Sequence, residues 1–274
     1  MDAAMTDLPE PVAELATMLA AMPGAVAVAL GGSRALGVSD ADGDWDFGLY
    51  YRGTIDLAAL AARGTVHPPG SWGRLLNGGA FLRCGVEKVD VGLRDIDVVE
   101  HWTRRASQGE FAVDHMLGFV AGLPTYMLAA ELGSCRVLWG SLPGAPFPAK
   151  LAAVAPPCWR LFRSFSLDYA RVHARRGNFV GAAGQAARAV MEEANAVLCE
   201  RGLWVCNEKR LIESAGLTGV QPLFGQIPSE PAGLVRWVDL VAGRLGVPAG
   251  EVTPWSDAGR GAEPGAGAIR RTLC

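Results

Sequence analysis

From Trp45 to Tyr51 the chain alternates: Trp45, Phe47, Leu49 and Tyr51 on one side, Asp46, Gly48 and Tyr50 on the other, with Asp44 in phase just before them. A period of two places successive side chains on opposite faces of an extended strand. The segment is therefore expected to be a strand whose aromatic and aliphatic face enters a core. Its other face carries carboxylates. Val89, Val91 and Leu93 against Lys88, Asp90 and Gly92 repeat the pattern, and residues 80–84 are expected to pair beside them.

The rest of the first half fits around such a sheet. Val12, Leu15, Leu19 and Met22 have helical spacing, and Pro23-Gly24 ends that helix. Ala25–Leu30 is short and almost wholly apolar, which suits a central strand buried on both faces. Gly31-Gly32-Ser33 then breaks the pattern. From Asp95 onward helical patterns dominate, with one further strand expected at 136–139.

At 274 residues, half of them hydrophobic, the chain is long enough for a sizeable core. A Pro/Gly-rich stretch at 140–148 divides it. Beyond that stretch the clearest helix spans 182–200, with Ala183, Ala187, Val190, Met191, Ala194 and Leu198 as the expected buried stripe. Gln185, Arg188, Glu192 and Asn195 fall on the opposite face. Residues 160–176, rich in arginine, are also expected to be helical. The fold class expected is α+β: a small mixed sheet flanked by helices at 1–145, then a helical bundle at 146–255. Residues 256–274 read as a loose tail.

No apolar run approaches a membrane span, and the first residues carry Asp and Glu, so a cytoplasmic protein with no membrane partner is expected. The six cysteines (84, 135, 158, 199, 206 and 274) lack zinc spacing and are expected to be reduced thiols. The net charge of −3 is uneven: residues 1–100 hold 14 acidic and 7 basic side chains, and the remainder 14 and 18. A metal site in the first half and an anion-contacting surface in the second would produce this split, as would chance.

Asp40, Asp42, Asp44 and Asp46 stand at alternate positions. A calcium loop of the EF-hand type would need Gly at its sixth position and Glu at its twelfth. Counting from Asp40 these are Trp45 and Tyr51; counting from Asp42 they are Phe47 and Gly53. Calcium binding of this kind is excluded. Asp40 and Asp42 precede Gly43 in a turn-like segment and are expected to shape a loop. Asp44 and Asp46 share one face of the strand and can share divalent cations through their oxygens.

Gly31-Gly32-Ser33 at the end of a buried strand, ten residues, and then Asp44-x-Asp46 opening the next strand complete a recognisable constellation. Gly32 lets backbone approach a ligand, and Ser33 offers a hydroxyl and an amide, an arrangement suited to phosphate. With Asp90 as a third carboxylate on a later strand, the sequence resembles the nucleotidyltransferase superfamily related to DNA polymerase β. Gly31, Gly32, Ser33, Ala35, Gly37, Asp44, Asp46 and Asp90 stand where that family's pattern asks for them. A sheet domain followed by a helical one resembles its subgroup acting on antibiotics such as kanamycin or lincosamides.

The resemblance implies ATP or another NTP as substrate, with Mg²⁺, as two ions, held by Asp44, Asp46 and Asp90. An acceptor hydroxyl would attack the α-phosphorus and pyrophosphate would leave, with Asp90 as third ligand or as base. The leading expectation is transfer of AMP to a small molecule. The alternative is a toxin–antitoxin-type enzyme modifying a protein or tRNA, or acting as a binding partner. The RNase signature of such systems, Arg followed by His after four to six residues, is absent from the helical half; its one match, Arg94 to His101, joins a strand to a helix.

Other candidates carry weaker signals. Arg34 follows Ser33 and is either a phosphate contact or a surface residue. Lys209, in Asn207-Glu208-Lys209-Arg210, is a candidate for the triphosphate, set against an ordinary helix-start cluster. Glu192 is a candidate base, set against a solvated helix residue. Asp168, among Arg160, Arg163, Arg171, Arg175 and Arg176, reads as an ion-pair partner. Those arginines, if they faced a cleft, would suit triphosphate or an anionic acceptor and repel a polycationic one.

Overall fold

The computed structural model describes residues 7–37 and 43–248. The loop role expected of Asp40 and Asp42 and the tail expected at 256–274 lie outside the described residues. The chain forms two compact units: Met1–Ala106 with Thr125–Pro146, and Ser107–Pro124 with Phe147–Cys274. Residues 107–124, contiguous in sequence with the first unit, thus pack with the second.

In the first unit, helix α1 (Glu10–Ala20) leads to strand β1 (Ala25–Leu30), a single helical turn α2 (Gly32–Ala35) and strand β2 (Trp45–Tyr51). Short elements α3 (Ala58–Ala61), β3 (Gly64–His67) and α4 (Gly73–Leu76) precede a hairpin of β4 (Gly78–Cys84) and β5 (Glu87–Asp95). Helix α5 (Ile96–Ser107) follows. The chain then makes a two-stranded ribbon, β6 (Val113–Asp114) and β7 (Leu123–Pro124), and returns through α6 (Met127–Ser134) and β8 (Arg136–Gly140).

The six-stranded sheet has the order β3-β4-β5-β2-β1-β8. All its pairings are antiparallel except β2 with β5. The strand–helix–strand excursion between those two is long enough to allow the parallel pairing. Their register is continuous, with Asp46 opposite Asp90, Gly48 opposite Gly92 and Tyr50 opposite Arg94. Phe47, Leu49, Val89, Val91 and Leu93 therefore share one face, where they meet Leu15 and Leu19 of α1 and Val28 and Leu30 of β1 in the core. Each such burial contributes roughly 1.5–3 kcal/mol. The carboxylates are thereby forced to the other face.

The second unit is built on α7 (Ala149–Arg175), α8 (Phe179–Glu200) and α11 (Pro231–Arg244). Between the last two lie α9 (Leu211–Ala215), a 3₁₀ turn (Thr218–Val220) and α10 (Gln221–Phe224). Helix α7 starts well before the expected 160 and runs through Pro156-Pro157, residues that ordinarily mark a boundary. Small residues on the facing sides, Ala170 and Ala174 against Ala182, Ala186 and Ala189, pack into a core closed by Leu234, Trp237 and Val241 of α11.

The expected polar face of α8 needs correction. Glu192 and Asn195 are buried, whereas Ala183, Ala187 and Met191 are only partly so. Helix α8 packs against α7, α9 and α11, so burial wraps around most of its circumference and one apolar stripe does not describe it. Cys84, Cys135, Cys199 and Cys206 are free thiols; Cys158 is disulfide-bonded, against the expectation of reduced cysteines throughout. Among the described residues no helix is long and apolar enough to cross a membrane.

Candidate active site

The end of β1 and the face of β2 meet at one place. The Gly31 amide donates to the Asp46 carbonyl at 2.7 Å, closing the turn that follows β1. Gly32 has φ +62, a conformation L side chains rarely adopt, and a Cβ placed there would fall 1.8 Å from Asp46 Oδ2. The Asp46 carboxylate is thus turned onto the bare backbone of Gly32, and only glycine leaves that space. Ser33 lies within α2, which is one turn long. So short a helix has little macrodipole to offer, and any anion binding there falls to local backbone amides and the hydroxyl.

Asp46 and Asp90 are register partners on adjacent strands, roughly 4.8 Å apart along the hydrogen-bonding direction. Both are partly buried. Asp44 stands at the exposed entrance of β2, with the Lys88 ammonium 3.9 Å from its carboxylate. Among the described residues no group of three or more His, Cys, Asp or Glu is arranged to hold a metal ion, so the three aspartates do not form a ready-made cage. The donor set is nevertheless all carboxylate oxygen, with two members side by side. That fits Mg²⁺, which is commonly held by one or two carboxylates together with substrate phosphates.

One row further along the same face, three glycines lie abreast: Gly48, Gly92 and Gly79 are successive partners across β2, β5 and β4. A Cβ at Gly48 would fall 2.9 Å from the Tyr50 ring, at Gly92 2.9 Å from the Arg94 guanidinium, and at Gly79 2.4 Å from the Trp72 indole. Each glycine lets a flat group lie on the sheet. Arg94 is held there by a double hydrogen bond to Glu131 of α6, 2.6 Å on each arm, and by the Leu76 and Leu93 carbonyls. These groups form a wall behind the carboxylates. The sequence signal for it, Gly at the same phase as Asp in β2 and β5, was present but points to a pattern and not to a function.

The remaining candidates are placed as follows. Arg34 donates to the Gly43 carbonyl and lies 4.1 Å over the Trp45 ring, so it clamps the start of β2 to α2. Trp45 in turn donates its indole N–H to Glu87 at 2.9 Å. Lys209 is exposed in the second unit, just before α9. Its neighbour Glu208 accepts from the Val120 and Ala121 amides at 2.6 and 2.9 Å, which anchors that loop.

Glu192 is not a solvated residue. Its oxygens accept from Ser166 Oγ at 2.7 Å and Arg188 Nε at 2.8 Å. Burial pushes its carboxyl above the usual range, against the opposing pull of Arg188 and Ser166. Three arginines of α7 are also committed: Arg163 to Glu193 at 2.6 Å, Arg160 to Glu193 and Glu200, and Arg171 to Asp168 and Asp239. Asp168 is the ion-pair partner expected.

No family model matches the chain, and no curated protein matches it in sequence. Among solved structures, it is similar to a nucleotidyltransferase-like protein from Exiguobacterium sibiricum, at 14% identity and a TM-score of 0.43, over 86% of this chain and 72% of that one. An aminoglycoside 6-adenyltransferase from Bacillus subtilis aligns at 10% identity and a TM-score of 0.26, over 97% of this chain and 98% of that one. At these scores neither likeness bears on what this chain binds.

Proposed function

We propose that the chain is a nucleotidyltransferase that moves a nucleoside monophosphate, AMP from ATP, onto a hydroxyl of a small molecule and releases pyrophosphate. The observation that carries this reading is the meeting of Asp46 and Asp90 on parallel strands with the Gly31-Gly32 backbone folded onto Asp46. Such a site offers carboxylate oxygens beside the amides of a tight glycine turn, within one phosphate's reach. Asp44, Asp46 and Asp90 would hold Mg²⁺, which supplies charge neutralisation at the attacking and leaving oxygens.

The chain's own residues do the rest by position. Gly32 makes room for the Asp46 carboxylate at the turn, and Ser33 hydrogen-bonds the phosphate oxygens. Asp90 takes the proton of the acceptor hydroxyl as the new O–P bond forms at the α-phosphorus and the bond to the pyrophosphate oxygen breaks. Little covalent chemistry is asked of the protein, in keeping with phosphoryl-type transfers generally.

The test is incubation with Mg²⁺ and each α-labelled NTP in the presence of hydroxylated small molecules, tRNA or lysate. Label from ATP on a small molecule is the expected result. Label on a macromolecule alone would overturn the acceptor class, and no transfer from any NTP would overturn the reading.

A further inference from the structure

Beside Asp90, on the same face, the structure carries an aromatic cluster that the site so far leaves unused. Phe81 of β4 is the register partner of Asp90 and is 46% exposed. Its ring lies 5.6 Å from that of Trp72 and 5.5 Å from that of His67, and these two are 5.1 Å apart. Trp72 cannot sink further, because its ring already rests against Gly79. A core-filling cluster would be buried; this one keeps its most carboxylate-proximal ring half in water.

The order of strands gives the cluster a side. The Gly31-Gly32 turn follows β1, on one flank of β2, whereas Phe81 lies on β4, beyond β5. In an in-line displacement the attacking and leaving oxygens stand on opposite sides of phosphorus. If the leaving pyrophosphate lies at the glycine turn, the attacking oxygen arrives from the β5–β4 side, and the atoms attached to it lie over Phe81. One row on from Asp90 and Phe81, Lys88 and Arg83 are partners on the same face and both are exposed. Lys88 is paired with Asp44, so it is the Arg83 charge that disfavours a polycationic acceptor there, a role that Arg160, Arg163 and Arg171 of α7 do not fill.

We propose that Phe81, braced by the tilted Trp72 ring at 37° and the edge-on His67 ring at 75°, forms a stacking platform for a planar ring of the acceptor, so that the acceptor is a flat, hydroxyl-bearing, uncharged or anionic aromatic compound. The proposal rests on the nucleotidyl-transfer reading above. It makes Phe81 a specificity-determining residue that touches substrate.

The experiment uses the full chain saturated with Mg²⁺ and α,β-methylene-ATP, titrated calorimetrically with 4-methylumbelliferone, 5-hydroxyindole and adenosine, and with kanamycin as the non-planar polycation. At least one planar probe should bind, and Phe81→Ala should weaken it about tenfold, the usual effect of removing one stacking ring. Phe81→Tyr, which keeps the ring, should restore it, and α,β-methylene-ATP should bind all three proteins equally. Unchanged probe binding in Phe81→Ala, failure of every planar probe, or kanamycin binding as well as the best of them would overturn the proposal. So would weakened α,β-methylene-ATP binding in Phe81→Ala, which would assign the ring to the nucleobase. Failure of wild type to bind α,β-methylene-ATP at all would instead overturn the transfer reading, and the platform's link to an acceptor with it.

Discussion

Each unit of the molecule holds two carboxylates close together, and the two pairs are set in different surroundings. In the helical unit, Glu192 and Glu193 are adjacent on α8 and buried, and cations close over them: Arg188 with the Ser166 hydroxyl on the first, Arg160 and Arg163 on the second. In the sheet unit, Asp46 and Asp90 are adjacent across strands, and what faces Asp46 is glycine backbone. Arginine at a carboxylate completes a structural pair. A glycine without a Cβ makes room for the Asp46 carboxylate itself to lie against the main chain. The first arrangement ties α7 to α8; the second is where the proposed function puts a phosphate and its cations.

The contrast can be broken by mutation, starting with the largest effect. Glu193→Ala leaves Arg160 and Arg163 without the carboxylate between them and should cost roughly 3–5 kcal/mol of stability in urea denaturation. Asp46→Asn should do the reverse: a smaller shift of the denaturation midpoint than Glu193→Ala, with transfer activity lowered about 10²–10³-fold. A stable, inactive Glu193→Ala together with an active but destabilised Asp46→Asn would invert the comparison. Gly32→Ala forces a left-handed residue and displaces the Asp46 carboxylate, so it should lose about 1–2 kcal/mol and most activity as well.

A fourth test uses pH. Burial holds the Glu192 carboxyl above its unfolded value, so its protonated form favours the folded state. That contribution is complete below the unfolded pKa and is lost as pH rises through the folded one. Stability of the wild type should therefore fall across that interval relative to Glu192→Gln, which should be at least as stable at neutral pH. The smallest effect is expected for Lys88→Ala. Its pair with Asp44 is exposed on both sides, and the change in stability should stay under about 0.5 kcal/mol.

Much of the sheet was legible because period two is hard to mistake. Ala25–Leu30 and the alternating runs around Asp46 and Asp90 each appear as strands, and their phase placed the carboxylates on one face. The parallel register that sets Asp46 beside Asp90 was not legible, since pairing depends on partners distant in sequence. Nor was the environment of Glu192: helical phase gives a direction from the axis, while burial depends on which helices arrive there. The aromatic cluster escaped for a similar reason. His67, Trp72 and Phe81 have no common period, and only the β3–β4 pairing and the turn through Asn77, with φ +65, bring them together.

The glycine row has a consequence for how this sequence can vary. Gly48, Gly92 and Gly79 are each occupied from above by Tyr50, Arg94 and Trp72, and Tyr50 and Arg94 are themselves buried. No one of these six positions can drift alone. A methyl at Gly92 becomes affordable only if Arg94 is shortened, which in turn strands Glu131 without its double hydrogen bond. Substitutions in this layer should therefore travel as couples, and double-mutant cycles across Gly48–Tyr50 or Gly92–Arg94 should show large positive coupling where either single change is damaging.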